Sequence, residues 1–402
     1  MDSEAKVTED RTGVWGVLVA VALLGATGLS VFYMLPLFIG AAAKSLGLSS
    51  QQQGLVGSMD VAGIAVAGLL SLAWVGRMSW RRAAMLGMVA FAAINLASAF
   101  VDNLALLCVL RFLAGVGGGT VFAVFLACMG SMPNPHRAFG ITITMHLLWT
   151  SVTIQPTSMA ISRAGLDGML YFLAGLAVLV SPALIWTPVS PRSSDEEEGA
   201  EEEGQTGAIG WRGYASLLSV LTLMAAVGAA WAFAERIGTA KGLGPETIAN
   251  AFSLAYLVCI AGPILAAWIG GSRSLTIPVV LGCLTTALAT LLFYYDVLPT
   301  YALQFAVAAI LFQVSWNFCS PLQLGVIARA DPQRRLIAST GFASATGTFL
   351  GPAFGGLLVG AGGYAALVWV GAGLAAAACL LLMPAARQQH EIVRARSSGV
   401  GD

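Results

Sequence analysis

The sequence predicts an all-α membrane protein of twelve transmembrane helices in two similar six-helix halves. Three observations predict it. Apolar residues fill 57% of the 402 positions and charged ones only 10%, whereas soluble domains carry roughly 25% charge. The apolar runs reach the length of about 20 residues that a helix needs to cross a bilayer. They are apolar throughout, unlike the alternating strands of a membrane barrel, so their backbone hydrogen bonds must close within each segment. The third observation is repetition: "AGLLSLAWVG" (Ala67–Gly76) returns as "AGPILAAWIG" (Ala261–Gly270). Flanking matches keep nearly the same spacing. "LGLSSQQQGLVGS" from Leu46 answers to "KGLGPETIANAFS" from Lys241, "NPHR" (Asn134–Arg137) to "DPQR" (Asp331–Arg334), and Pro156 to Pro352. Such constancy over a hundred residues marks two copies of one architecture.

The elements follow in order. A polar, acidic tail (1–13) precedes the first half (14–187), whose runs are 14–39, 53–75, 83–101, 105–131, 138–161 and 168–187. Because the first run is too long for a signal core, no cleavable signal peptide is expected. An acidic linker (188–212) follows. Its stretch "PRSSDEEEGAEEEGQTGAIG" holds seven acids and no apolar period, which predicts a solvated, disordered tether. The second half (213–384) has runs at 213–238, 246–269, 275–296, 300–328, 337–360 and 362–384, and a tail (385–402) ends the chain. Forty-seven glycines suit helices that associate in lipid by close backbone approach.

Orientation follows from Lys and Arg in short loops. With the N-terminus inside, fifteen of them lie on the cytoplasmic side, against Lys44, Arg163 and Lys241 outside. Both termini are therefore expected in the cytoplasm, in the plasma membrane, the inner membrane of a bacterium. All six cysteines fall inside predicted spans and read as small packing residues, so neither disulfides nor a metal site is expected.

Charges inside spans are costly, by at least ~2.5 to 3.5 kcal/mol at a helix centre, and so draw a functional reading. Asp60 lies in the second span, Arg111 in the fourth, His146 in the fifth, and Glu235 with Arg236 near the outer end of the seventh. Helical rise puts Asp60 and Arg111 in one layer, ~10 Å below the outer surface. They form either a structural ion pair or a proton-coupling pair, because a carboxylate's proton affinity depends on solvent access and on a nearby arginine. Glu235 and His146 are further candidates for proton coupling. Being adjacent, Glu235 and Arg236 point about 100° apart, and Arg236 reads as an interfacial anchor or a substrate group. Arg111, Trp231, Gln155, Gln313 and Asn317 are candidate substrate contacts. The amides, with Gln323, read equally as interhelical glue.

In the fourth span, "RFLAGVGGG" (Arg111–Gly119) lacks the preceding strand and the ribose-binding acid of a dinucleotide loop, so its glycines read as packing positions. No nucleophile elbow, P-loop or zinc spacing occurs, and an enzyme is not expected.

Twelve spans in two halves, an acidic central loop and that fourth-span stretch together resemble the major facilitator superfamily over essentially the whole membrane portion. The family's fold is two parallel halves, each an inverted repeat of three helices. Arg111, Gly115 and Gly117 match its signature of an arginine followed four and six residues later by glycines, and the resemblance implies a role in proton coupling for Arg111. The loop "GRMSWRR" is similar to the family's gating motif. Arg77, Arg81 and Arg82 are present, while Gly76 and Ser79 replace its usual Asp and Gly. The Gly-Pro series that drug antiporters carry in the fifth span is "SVTIQP" here and stands instead in the eleventh, as "GTFLGPAFGG", where Gly347, Gly351 and Gly355 share one helix face.

The expected function is a secondary transporter moving a small organic solute by alternating access, coupled to protons. It is expected to need no cofactor, no metal and no nucleic-acid partner, and to work as a monomer in the lipid bilayer. The alternatives are a multidrug/proton antiporter and, in another class, a non-transporting receptor or lipid scramblase.

Overall fold

Every element in the residues that the structure describes, 2–132, 134–189, 211–270, 275–330 and 335–397 of a computed structural model, is a helix. Three pieces on one path make the first span: α1 (Asp2–Gly28), α2 (Ser30–Tyr33) and α3 (Leu35–Leu46). Backbone bonds from Leu29 to Gly25 and from Phe38 to Met34 carry the helical pattern across the joints. Pro36 has no N–H to give, which accounts for the bend just before it. Next come α4 (Ser50–Trp74), α5 (Trp80–Ser98) and α6 (Leu104–Gly130). A capping box of Ser49 and Gln52 opens α4, and Asn103 caps α6.

α7 (Pro135–Val180) contains the fifth and sixth spans, divided at Ala164 and Gly165, and a 3₁₀ turn (Ser181–Trp186) completes it. In the second half, α8 (Trp211–Ala240), the pair α9 (Pro245–Cys259) and α10 (Ala261–Gly270), α11 (Thr276–Leu292) and α12 (Tyr301–Ala330) provide spans seven to ten. The last two are joined in α13 (Arg335–Ser397), divided at Gly362 and Gly363. The two divisions are equivalent. Gly165 and Gly363 both adopt the left-handed φ (+60° and +70°) that favours glycine, at a spacing close to that of the repeated stretches.

Among the described residues, seven helical stretches are long and apolar enough to cross a membrane, two of them containing those divisions. Shorter apolar helices cover the first and ninth spans. Large apolar side chains such as Leu72 and Trp268 are about four-fifths exposed (80% and 81%), as a lipid-facing surface requires. The chain is an integral membrane protein. Helix also continues into both segments expected to be tails, since α1 starts at Asp2 and α13 ends at Ser397. Most of the acidic linker, residues 190–210, lies outside the described residues.

Within the first half α6 packs against α1, α4 and α5; in the second, α8 lies along α13. The face of Gly347, Gly351 and Gly355 makes that second contact, meeting Leu221, Gly228, Ala229 and Phe233 of α8. The halves meet through α3 with α8, α4 with α13 and α7 with α9, whereas α1 and α10 pack within their own halves. Residues at these junctions, including Gly40, Gly54, Gln155 and Asn250, lie toward the end of the bundle remote from the termini. Among the described residues the helices of the two halves thus pack together toward that end and not toward the end carrying the termini.

Candidate functional site

A close crossing of α4 and α6 brings together the charges expected in one layer. Gly63 and Gly115 make it possible, because a Cβ on either would collide with the backbone of the other helix, Phe112 or Asp60. Arg111, one turn before Gly115, is completely buried, and Asp60 is 1% exposed. The Arg111 Nη1 lies 3.9 Å from Asp60 Oδ2, an ion-pair separation without a hydrogen bond. Arg111 instead donates to α5: Nη1 to Asn95 Oδ1 (2.9 Å), and Nη2 to Ser98 Oγ (2.5 Å) and the Ile94 carbonyl (3.4 Å). Its guanidinium also lies 5.8 Å from the centre of the Phe38 ring. Both Asp60 oxygens are buried and accept no hydrogen bond. The arginine is shared between a polar seat on α5 and a bare carboxylate on α4.

The other predicted charges lie elsewhere. Glu235 accepts from Thr239 Oγ1 (2.9 Å), and its second oxygen packs against Gly40 of α3, where any side chain would collide with it. Arg236 hydrogen-bonds Tyr364. His146 is buried against Phe125, ring centres 4.6 Å apart, with its Nδ1 3.4 Å from the Tyr33 hydroxyl and no hydrogen bond at Nε2. It belongs to an aromatic cluster with Phe122 and Tyr33.

Between the halves, about midway along the spans, lies a narrow cleft whose empty space, most of it the open mouth, is about 420 Å³. Phe32 and Leu35 of the first span line one side; Met224 and Trp231 of α8, Tyr256 of α9, Gln313 and Trp316 of α12 and Thr348 of α13 line the rest. The bend before Pro36 matters here. It presents the Tyr33 carbonyl to the other half, where it accepts from Tyr256 Oη (2.7 Å) and Trp231 Nε1 (3.3 Å). Gln313 Oε1 accepts from Trp316 Nε1 (2.8 Å). No charged side chain lines this cavity.

Of the expected substrate contacts, Trp231 and Gln313 therefore reach the cavity. Asn317 donates to the Gln313 carbonyl one turn back (2.8 Å). Gln155 pairs across the halves with Asn250, and beside it Ser151 and Ser253 exchange hydrogen bonds to each other's carbonyls (2.8 and 2.7 Å). Gln323 links α12 to Ser219 of α8 (2.6 Å). Arg81 donates to the Thr187 and Ile185 carbonyls (2.9 and 2.7 Å), tying the second loop to the end of the sixth span, while Arg77 and Arg82 are exposed. The six cysteines are buried and free.

Sequence reasoning passed over Asn95, Ser98, Tyr33, Tyr256, Trp316 and Thr348. Asn95 was findable, as an amide inside an apolar run faces a partner rather than lipid. Pro36 likewise signals a released carbonyl in the first span. Nothing local marks Thr348.

Three comparisons bear on this architecture. Residues 17–349 match the sequence profile of the Major Facilitator Superfamily. Among solved structures, a crystal structure of the nucleoside transporter NupG, determined as a point mutant, superposes with a TM-score of 0.73 at 13% identity, covering 92% of this chain and 98% of that one. No curated protein matches the sequence.

Proposed function

The chain belongs to the major facilitator superfamily of secondary transporters, and we propose that it moves a small organic solute by alternating access, coupled to protons, with both termini in the cytoplasm. One observation carries this reading: among the described residues the halves flank a cleft at mid-depth, where the Tyr33 carbonyl meets Tyr256 and Trp231, and their helices otherwise pack together toward the end remote from the termini. With the predicted orientation, that arrangement is closed to the outside and open to the cytoplasm. Rocking the halves would break the contacts of α3, α4 and α7 with the second half and expose the cavity on the other side.

Asp60 is the proton carrier in this proposal. When the carboxylate is protonated it needs no cationic partner, and Arg111 rests on Asn95 and Ser98. When it loses its proton, Arg111 is drawn the remaining distance from 3.9 Å to hydrogen-bond contact, shifting α4 against α5. The pair thereby converts protonation into a helix displacement. Glu235, which packs against Gly40 where two halves meet, is the second candidate, and His146 the third. Arg77, Arg81 and Arg82 are assigned to the cytoplasmic closure.

The test uses purified protein in liposomes with an imposed pH gradient. Asp60→Asn keeps size and removes titration, so it should lose gradient-driven accumulation while retaining exchange of labelled solute. Accumulation with unchanged pH dependence would move the role to Glu235. A nucleoside, the solute in the name of the structural neighbour, belongs in the first panel assayed. A second reading, efflux of unrelated amphipathic compounds, is favoured by the uncharged lining of the cavity, and a broad inhibitor profile would select it.

A further inference from the structure

We infer that Glu235 is a proton-operated latch at the end of the bundle remote from the termini: its carboxyl takes up a proton to seat against Gly40 of the opposite half, and losing the proton lets the halves part there. The inference rests on the transporter reading, whose cycle opens and closes that end.

Glu235 belongs to α8 and Gly40 to α3, so the contact crosses between the halves. A Cβ on Gly40 would collide with the Glu235 carboxyl, whose carbon and two oxygens are the three nearest heavy atoms it would meet. Thr239 Oγ1 donates to Oε1 (2.9 Å), while Oε2 is buried and accepts no hydrogen bond. An oxygen that has given up water without replacement costs far more on an ionised carboxyl than on a neutral one. The titratable groups facing Glu235, among the described residues, are Lys44, one turn past Gly40 on α3, Arg236 on α8, and Tyr364 on α13. Both cations favour the ionised form. Lys44 is exposed, however, so water screens it, and Arg236 hydrogen-bonds Tyr364. Neither supplies the missing bond at Oε2.

Parting the halves would return the carboxyl to water, where it ionises readily. The closed end therefore holds the proton and the open end releases it. Acid favours closure and alkali favours opening, by up to about tenfold in their ratio per pH unit for one linked proton. With the proposed orientation, this proton comes from the outside and returns there. Glu235 thus gates, and Asp60 keeps the coupled proton.

The experiment measures, by double electron–electron resonance on the full chain in detergent, the distance between nitroxides on Gln51→Cys and Thr247→Cys. These positions are exposed, at the starts of α4 and α9, and the six native cysteines are buried, so labels attach to the introduced pair. Asp60→Asn removes the carrier's own titration. In that background a short distance should dominate near pH 5 and a longer one should gain up to about pH 9, whereas adding Glu235→Gln should keep the short distance throughout. In the chain with Asp60 retained, Gly40→Ala displaces the carboxyl and should raise the long-to-short ratio at least about tenfold. Adding Glu235→Ala should bring it back. A distance that ignores pH, a Glu235→Gln variant that keeps the pH slope, or a Gly40→Ala variant as closed as its parent overturns the inference. Failure of the protein to move any solute in liposomes while these shifts occur would count against the transporter reading alone.

Discussion

Arg111 places a permanent charge where nothing aqueous reaches it, and three kinds of neighbour keep it there: the Asn95 and Ser98 acceptors, the Phe38 ring and the Asp60 carboxylate. Removing only the arginine leaves a buried carboxylate uncompensated, a loss of about 3–5 kcal/mol for a broken buried pair. Arg111→Ala should therefore lower the melting temperature of the detergent-solubilised protein, and adding Asp60→Asn should recover most of the drop, because the abandoned charge goes with it. Additive losses would show that the two side chains do not interact. Arg111→Lys keeps the charge but lacks the planar fork that serves both Asn95 and Ser98. It should fold and lose most of its transport in liposomes.

Helices approach one another where side chains are missing, and these crossings set the site. α4 reaches α6 at Gly63 and Gly115, which is why Asp60 comes within range of Arg111. Any side chain at Gly115 meets the Asp60 backbone, so relief requires a shift of the whole helix rather than a change of rotamer. Gly115→Leu is expected to cost more than the ~1–3 kcal/mol of ordinary core overpacking, and size-exclusion chromatography should show aggregated or absent protein. Gly68, on α4, meets nothing, and Gly68→Leu should elute as the native protein does. A native profile for Gly115→Leu would mean that the crossing is looser than the structure shows.

The whole molecule is two bodies joined at one end. Ser151 and Ser253, with hydroxyl oxygens 3.1 Å apart, bridge α7 and α9 at that junction. A Ser151→Cys/Ser253→Cys pair, oxidised with copper phenanthroline, should lock the halves together there and stop transport, and dithiothreitol should restore it. The six native cysteines are buried, so the parent protein serves as the control. Transport that continues in the cross-linked protein would show that this junction does not open during the cycle.

The sequence by itself determined the membrane class, the all-helical character, the repeat and the shared layer of Asp60 and Arg111. These depend on composition, run length and spacing, and the bilayer enforces them because every backbone group in it must bond within its own segment. The packing face of Gly347, Gly351 and Gly355 belongs with this legible part, whereas the left-handed turns at Gly165 and Gly363 came from the structure. Tertiary structure alone decided which groups meet. Arg111 was legible as a charge in a span, yet its hydrogen bonds go to Asn95 and Ser98 rather than to Asp60. Trp231 and Gln313 were legible as polar atoms in apolar runs, yet only the meeting of spans one, seven, eight, ten and eleven puts them in one cavity with Tyr256 and Thr348. The physical reason is that a helix sequence sets its own contour and the spacing of its faces, while the rotation and crossing point of each helix depend on all its neighbours at once.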